Sequence, residues 1–399
     1  MILVVGQYPD STNSRDGMVQ RIAAVDRLLE SHERTYVTLV HEPFRDTRAV
    51  LKRVAPRVRS VQLNWFDAGD VELLNGLMKE ARCLVVHSLH WAQHVLPLYR
   101  TRPVITDLHG VVPEEHAFIG AHEEAAHFSS VERAVMRHGF RHIAVSDAMA
   151  DHFRTRYAEL TPSLFTLPVL APPSGRPALD ERTGPSLRIL YSGGTHAWQN
   201  IDLMLDAISR SRLALPVELL TPDVAGMQER VARKRLETRV SIRSLPPERM
   251  PEAYAQAHLG FVLRDDNLVN RAACPTKLQE YLAHGVVPIV LSPHIGDFAT
   301  MGYRYVTLEA FLEGRLPTWA EWRELAEHNL QVLETLRRQA DTGVERFAEA
   351  VELALRTEAR SGVSVEEELA FAALFARRMS PSRERTRHVP LPLLRRLLP

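Results

Sequence analysis

Cys274-Pro-Thr-Lys-Leu-Gln-Glu-Tyr-Leu-Ala-His-Gly285, followed by Val286-Val-Pro-Ile-Val-Leu291, reads as a short helix running into a buried strand. Pro275 suits a first helical position, where its missing N–H would be unpaired anyway. Gly285 suits the helix stop, where a left-handed residue is wanted. Leu278, Tyr281 and Leu282 recur at helical spacing and predict an apolar face. The strand is continuously apolar, as in a parallel sheet covered on both sides. The start of such a helix offers unpaired N–H groups and the positive end of the dipole, which suits a phosphate. Lys277 adds a full charge in that first turn. Glu280 follows one turn deeper, and a carboxylate can accept two hydrogen bonds from a vicinal diol. Phosphate at the tip and ribose one turn in is the shape of a nucleoside diphosphate. A solvated Lys–Glu pair at i,i+3 is the plainer alternative on spacing alone.

The wider segment Asn267-Leu-Val-Asn-Arg-Ala-Ala-Cys-Pro-Thr-Lys-Leu-Gln-Glu-Tyr-Leu-Ala-His-Gly-Val-Val-Pro-Ile-Val290 resembles the donor-binding segment of family 4 glycosyltransferases. This is the large retaining family (glycosyl transferases group 1) with the GT-B fold. The resemblance implies that Glu280 binds the ribose of a sugar nucleotide. Family members often carry a second Glu eight positions earlier. Here that position is Ala272, so the usual sugar-hydroxyl contact is missing from the pattern.

The 399 residues are too many for one core and predict two domains of about 150–200 residues each. Hydrophobic content of 45% and charged content of 25% are those of a soluble globular protein. Lys+Arg and Asp+Glu are equal at 49 each, which argues against a generic nucleic-acid binder. Cys83 and Cys274 show neither pairing nor metal spacing, and fit a reducing cytosol. Met1–Val5 is too short for a signal peptide, and no run reaches the ~20 apolar residues of a membrane span.

Strand and helix patterns alternate through both halves, which predicts two doubly wound parallel sheets. Ile2–Val5 enters the turn-rich loop Gly6–Gly17, with a helix from Met18 to Glu30. The loop resembles the family's first donor loop, with Asp16-Gly17 where a Gly-Gly pair is common, and Gly17 is carried as a donor contact. Tyr36–Val40, Cys83–Val86, Val104–Asp107 and Ile143–Ser146 read as further strands. Arg45, Arg48, Lys52, Arg53, Arg57 and Arg59, with Asp46 among them, read as a solvated helix face or a contact for anionic lipid. His87, His90 and His94 sit at helical spacing after a strand. A metal reading lacks a local acidic ligand, and placement at a strand's carboxyl end makes them cleft residues instead. Asp107, His109, Glu114 and Glu115 cluster just past the next strand. This loop resembles the family's His-containing loop, which implies that His109 contacts the transferred sugar.

Residues 171–186, rich in Pro and Gly, read as a linker between an acceptor-side domain (1–170) and a donor domain (187–378), with a basic tail (379–399). The second half restarts with Leu187–Tyr191, the glycine turn Ser192-Gly-Gly-Thr195 and a helix from Asn200. The resemblance would place a phosphate-gripping Lys after this turn. The segment His196-Ala-Trp-Gln-Asn200 has none, so charge neutralisation falls to Lys277, Arg271 and Arg264, beside Gly194 and Thr276. Val217–Leu220, Val240–Ile242 and His258–Leu263 are further strands. Beyond Tyr305 the pattern is helical to about Arg378, and in the GT-B fold such helices pack back toward the first domain. The tail from Arg377 has seven arginines, the last two inside a leucine-rich end, and one Glu, and reads as disordered or as a peripheral membrane anchor.

The resemblance implies a GT-B pair of Rossmann-like domains facing a central cleft, and a retaining, metal-independent hexosyltransferase. A nucleotide sugar would be the donor, a glycan or lipid-linked molecule the acceptor, with no cofactor and no nucleic acid partner. Bacterial polysaccharide or glycoconjugate synthesis in the cytoplasm is the expected setting, with peripheral contact at the inner face of the membrane as an option. A nucleotide-sugar epimerase of the same fold, a noncatalytic nucleotide-sugar binding module and a structural assembly subunit are the alternatives.

Overall fold

The structure is a computed structural model that describes residues 1–13, 17–40, 49–169, 177–182, 186–211, 215–358 and 368. The chain divides into two compact units, Met1–Leu167 with Thr342–Pro399, and Pro168–Asp341.

Among the described residues the first unit holds eight strands: β1 (Ile2–Val5), β2 (Arg34–Val40), β3 (Lys52–Ala55), β4 (Val58–Asn64), β5 (Cys83–His87), β6 (Val104–Leu108), β7 (Arg141–Ala144) and β8 (Leu164–Thr166). Their order is β3-β4-β2-β1-β5-β6-β7-β8. Every pairing is parallel except that of β3 with β4. The second unit holds β9 (Ile189–Ser192), β10 (Val217–Leu220), β11 (Val240–Arg243), β12 (Leu259–Val262), β13 (Val287–Val290) and β14 (Val306–Thr307). They form an all-parallel sheet ordered β11-β10-β9-β12-β13-β14. Both sheets are doubly wound. Strand order reverses between β1 and β5 in one and between β9 and β12 in the other, where such sheets open a crevice for ligands.

The burial pattern follows from parallel pairing. Ile2, Leu3, Val4 and Val5 are all 0% exposed, as they must be on a central strand with helices on both faces. In the second unit Ile189, Leu259, Phe261, Val287 and Ile289 face one core, with Met204, Leu205 and Trp322 covering it. Leu190, Val262 and Val290 face a separate core with Leu278, Tyr281 and Leu282. Leu278, Tyr281 and Leu282 are therefore the buried stripe of the helix Thr276–Ala283.

Several expectations need correction. Pro275 is the N-cap in extended conformation rather than the first helical residue. A proline with ψ near 120° ends the preceding segment, and its ring still presets the chain for the turn. Gly285 takes the expected left-handed conformation at φ +70°. Lys52 and Arg53 lie on β3, an edge strand, and Arg57 and Arg59 on the turn and on β4, so the described part of the basic stretch is a hairpin and not a helix face. Charged residues on an edge strand block further pairing. Arg45, Asp46 and Arg48 lie outside the described residues, as does Asp16. The donor domain does not run to 378: its unit ends at Asp341, and the helix Trp319–Arg356 carries the chain from the second unit into the first. Phe347, Ala350, Val351 and Ala354 pack in the first unit's core beside Ile2 and Val4. This is the return of terminal helices that the resemblance implied. The described part of the linker is tied down. Leu179 is buried in the second unit's core, and Arg182 donates to the carbonyls of Ala257 and His284. The remainder of the linker, and the basic tail, lie outside the described residues.

One glycine controls the loop that follows β13. Gly296 has φ +48°, and a Cβ there would lie 1.9 Å from the Ala273 carbonyl oxygen, just ahead of Cys274-Pro275. Gly296→Ala should cost on the order of 2–3 kcal/mol, since strain and overlap with backbone combine. Urea denaturation followed by circular dichroism checks this; an unchanged midpoint would contradict the packing.

Candidate functional site

The helix Thr276–Ala283 begins over the glycine turn that ends β9. Lys277 reaches back across that turn. Its Nζ donates to Gln199 Oε1 at 2.7 Å and lies 4.1 Å from the centre of the Tyr191 ring. A Cβ on Gly193, whose φ is +135°, would come within 3.2 Å of the same Nζ. Only glycine lets the ammonium come this close to the backbone here. Tyr191 donates its hydroxyl to the Gly194 carbonyl at 2.6 Å, which fixes the turn. Burial, reinforced by the nearby Arg264 guanidinium, pushes the Lys277 amine well below the ordinary lysine range, against a smaller opposing pull from Glu280. Burial also pushes Arg264 down to about 10. Its Nη1 donates to Asn270 Oδ1 at 3.1 Å. Among the described residues neither Lys277 nor Arg264 forms a direct ion pair with a carboxylate, and burial beside a second basic group works against the charged form of each.

Glu280 sits one turn deeper. Tyr254 donates its hydroxyl to Glu280 Oε2 at 2.7 Å. Burial raises the carboxyl above its usual range, with the Tyr254 bond and Lys277 pulling the other way. The Tyr254 hydroxyl also meets Ser192 Oγ at 3.1 Å, and Ser192 N–H donates to the Tyr281 hydroxyl at 2.9 Å. A network of two tyrosines thus ties the end of β9 to Glu280. Tyr281 reaches Ser192 because Gly260 on β12 leaves room: a Cβ there would lie 2.3 Å from its ring.

Not all predicted donor residues join this cluster. Arg271 is exposed and donates to Asp266 Oδ1 at 2.6 Å, with His294 on the other oxygen of Asp266 at 3.0 Å. Those hydrogen bonds hold the Asp266 carboxyl down to about 2. Arg271 is therefore a surface ion pair in this conformation. Thr276 is the first residue of the helix, and Gly17 the first residue of the helix Gly17–Arg27, exposed and with open space where a side chain would go. Ala272 is 1% exposed.

The first unit builds a second cluster at the carboxyl ends of β5 and β6. The two strands run in register with His87 beside Asp107. Arg21 is 3% exposed and grips Asp107, donating from Nη2 at 2.8 Å and from Nε at 3.0 and 3.1 Å. Its Nη1 donates to the Leu167 carbonyl at 2.8 Å. His87 Nδ1 lies 3.1 Å, and His109 Nε2 2.9 Å, from Asp107 Oδ2. Asp107 is fully buried. Burial alone would raise its carboxyl, but Arg21 and the histidines outweigh that and hold it well below the usual range. Burial lowers His87. Ser88, which follows, has φ +63°, an observed strain at the junction of strand and helix. The acid missing beside the histidines in the sequence is thus supplied by the neighbouring strand. His90 and His94 go elsewhere, His90 against His116 and Phe128 and His94 against Trp91. Glu114 pairs with Arg156, and Glu115 folds under Gly110. His87, Asp107 and His109 do place three donor atoms close together. The Arg21 fork already neutralises Asp107, so a divalent cation there would meet a guanidinium across the same carboxylate.

No protein-family profile matches the chain, and no curated protein matches it in sequence. Solved structures do match. A sucrose-phosphate synthase from Thermosynechococcus elongatus superposes with a TM-score of 0.64 at 13% identity, over 88% of this chain and 99% of that one. An alpha,alpha-trehalose 6-phosphate synthase from Burkholderia multivorans gives 0.56 at 14% identity, over 89% and 99%. Anabaena HepE in complex with UDP and glucose gives 0.54 at 14% identity, over 84% and 99%. The fold is GT-B.

Within this GT-B chain, sequence reasoning missed Arg21, Tyr191, Gln199, Tyr254 and Asn270. Asn270 is 0% exposed, and a buried amide flanked by Arg264 and the Asp265 carbonyl only makes sense once the chain is folded. Gln199 did carry a signal, since it stands in the segment where a lysine was expected.

Proposed function

We propose that this protein is a retaining glycosyltransferase that takes a nucleoside-diphosphate sugar on its second unit and passes the sugar to a glycan or lipid-linked acceptor. The observation that carries the reading is the Lys277 amine over the Gly193–Gly194 turn, with Glu280 one helical turn deeper. A diphosphate at the turn would be met by Lys277, Arg264 and the N–H groups of the helix start. The ribose hydroxyls would then lie by Glu280. UDP is the first nucleotide to try, because HepE is in complex with UDP and glucose.

The barrier to glycosyl transfer is breakage of the bond between sugar and phosphate, with charge growing on the leaving diphosphate and an oxocarbenium-like sugar. Fixed cations aimed at that charge lower the barrier without reorganising. The departing phosphate oxygen can take the acceptor's proton, so no protein nucleophile is assigned. Metal independence belongs to the same reading, since side-chain cations carry the neutralisation. His109 is assigned to the transferred sugar. An acceptor at the cytoplasmic face of a membrane is included: Lys52, Arg53 and Arg57 are exposed, and anionic lipid attracts such groups. No described helix is long and apolar enough to cross a membrane.

A thermal-shift series with UDP-, GDP-, dTDP- and ADP-sugars tests the reading. A nucleotide present at a hundred times its Kd should stabilise the fold by about 2.7 kcal/mol. No shift with any of them would overturn the assignment. A noncatalytic binding module is the second reading, favoured by the apolar Ala272 in place of an acid. It predicts binding with no release of free nucleoside diphosphate when acceptors are supplied.

A further inference from the structure

We propose that Asp107, pinned by Arg21, is a positioning residue that fixes the tautomers of His87 and His109 in opposite senses, leaving His109 Nδ1 as a bare hydrogen-bond acceptor. An ionised carboxylate only accepts hydrogen bonds. Arg21 keeps Asp107 ionised through a two-nitrogen grip inside a site closed to water. Asp107 Oδ2 then faces His87 Nδ1 at 3.1 Å and His109 Nε2 at 2.9 Å, and both ring nitrogens must donate. The 3.4 Å approach between those two nitrogens is accordingly two donors converging on one oxygen, and not a bond between them. A neutral His87 is therefore protonated at Nδ1, and a neutral His109 at Nε2.

What remains is one lone pair on each ring, at His87 Nε2 and His109 Nδ1. Both atoms are buried and have no hydrogen-bond partner among the described residues. Buried acceptors are ordinarily paired, and exceptions of this kind call for a ligand or a functional reason. His87 is fully enclosed, but the His109 side chain keeps 11% of its surface open. A ligand hydroxyl is the chemical group that fits, since it donates a proton to Nδ1 without needing charge, and it would reach this enclosed atom once the ring turns toward its open edge. The ring would thus serve as an acceptor that orients a hydroxyl and not as an acid. This rests on the proposed sugar transfer only for its catalytic consequence. The tautomers stand on the geometry of the first unit alone.

Two-bond proton–nitrogen correlation spectra of histidine-labelled full-length protein at pH 8 read the tautomers directly. His87→Gln and His109→Gln supply the assignments. His109 should show the pattern of an Nε2–H ring and His87 that of an Nδ1–H ring. An Nδ1–H pattern for His109 in the unmutated protein would overturn the inference, whatever the protein's activity. Asp107→Asn should move His109 to the Nδ1–H form, because an amide that accepts from Arg21 turns its NH2 toward the ring. If the proposed activity is present, the same variant should lower kcat by about 3–10-fold, the worth of one neutral hydrogen bond, and leave the Kd for UDP unchanged. Loss of UDP binding in the unmutated protein would instead sink the functional reading and leave the tautomer result intact.

Discussion

Glu280→Ala should weaken nucleoside-diphosphate binding by about 100-fold while leaving the fold intact. The size follows from two charge-assisted hydrogen bonds to a ribose diol. At ~1.5 kcal/mol each, the low end for charged partners, they sum to ~3 kcal/mol, or about two decades of affinity. The fold should survive because, among the described residues, the Glu280 carboxylate has one hydrogen-bond donor, the Tyr254 hydroxyl, and that hydroxyl keeps Ser192 Oγ at 3.1 Å as an alternative partner. The Ser192–Tyr281 bond that anchors β9 to the helix is untouched. Isothermal titration calorimetry with UDP, paired with a thermal melt, separates the two effects. An unchanged Kd would remove Glu280 from the site; a collapsed melt would mean the network is less redundant than its geometry implies.

The second large effect concerns Lys277→Ala, which should lower turnover by about 10²–10³-fold, the cost of deleting one fixed charge-stabilising group. The lysine expected after the glycine turn is absent, so no other lysine shares the work there. In the proposed reading Lys277 takes that part from a different element, where Gln199 and the Tyr191 face hold it. Its lowered amine adds a pH signature. In the free protein burial favours the neutral amine, whereas a bound diphosphate favours the ammonium. Nucleotide binding should therefore take up a proton once pH exceeds the lowered value in the free protein. Affinity should be full below that value and fall as pH rises through it. Calorimetry of UDP binding in two buffers of different ionisation enthalpy measures the uptake, which Lys277→Ala should abolish. Full activity of that variant, or identical heats in both buffers, would place the phosphates elsewhere.

The helix-to-strand reading was legible because each signal was local. Leu278, Tyr281 and Leu282 announce a buried stripe, Gly285 a left-handed stop, and Val287–Val290 a doubly covered strand, and all three hold in the fold. The basic stretch failed for the same reason that local patterns fail at edges: alternation over Lys52–Ala55 is short, and what makes it a strand is pairing with β4. The domain boundary at Asp341 was equally out of reach, since the helix Trp319–Arg356 is one unbroken period and only packing of Phe347 and Val351 reveals which core receives its second half.

By itself the sequence determined the alternation of strands and helices, the glycine turn after β9, and the residue types at the start of the helix Thr276–Ala283. Periodicity and turn chemistry depend on neighbours a few positions apart, so they survive in one dimension. The tertiary structure alone decided that Asp107 would meet His87, Arg21 and His109, and that Lys277 would reach Gln199 and the Tyr191 ring beside a distant glycine turn. Those contacts depend on which strands lie side by side and on which glycines lack a Cβ at the point of approach, and neither is a property of any single stretch of chain.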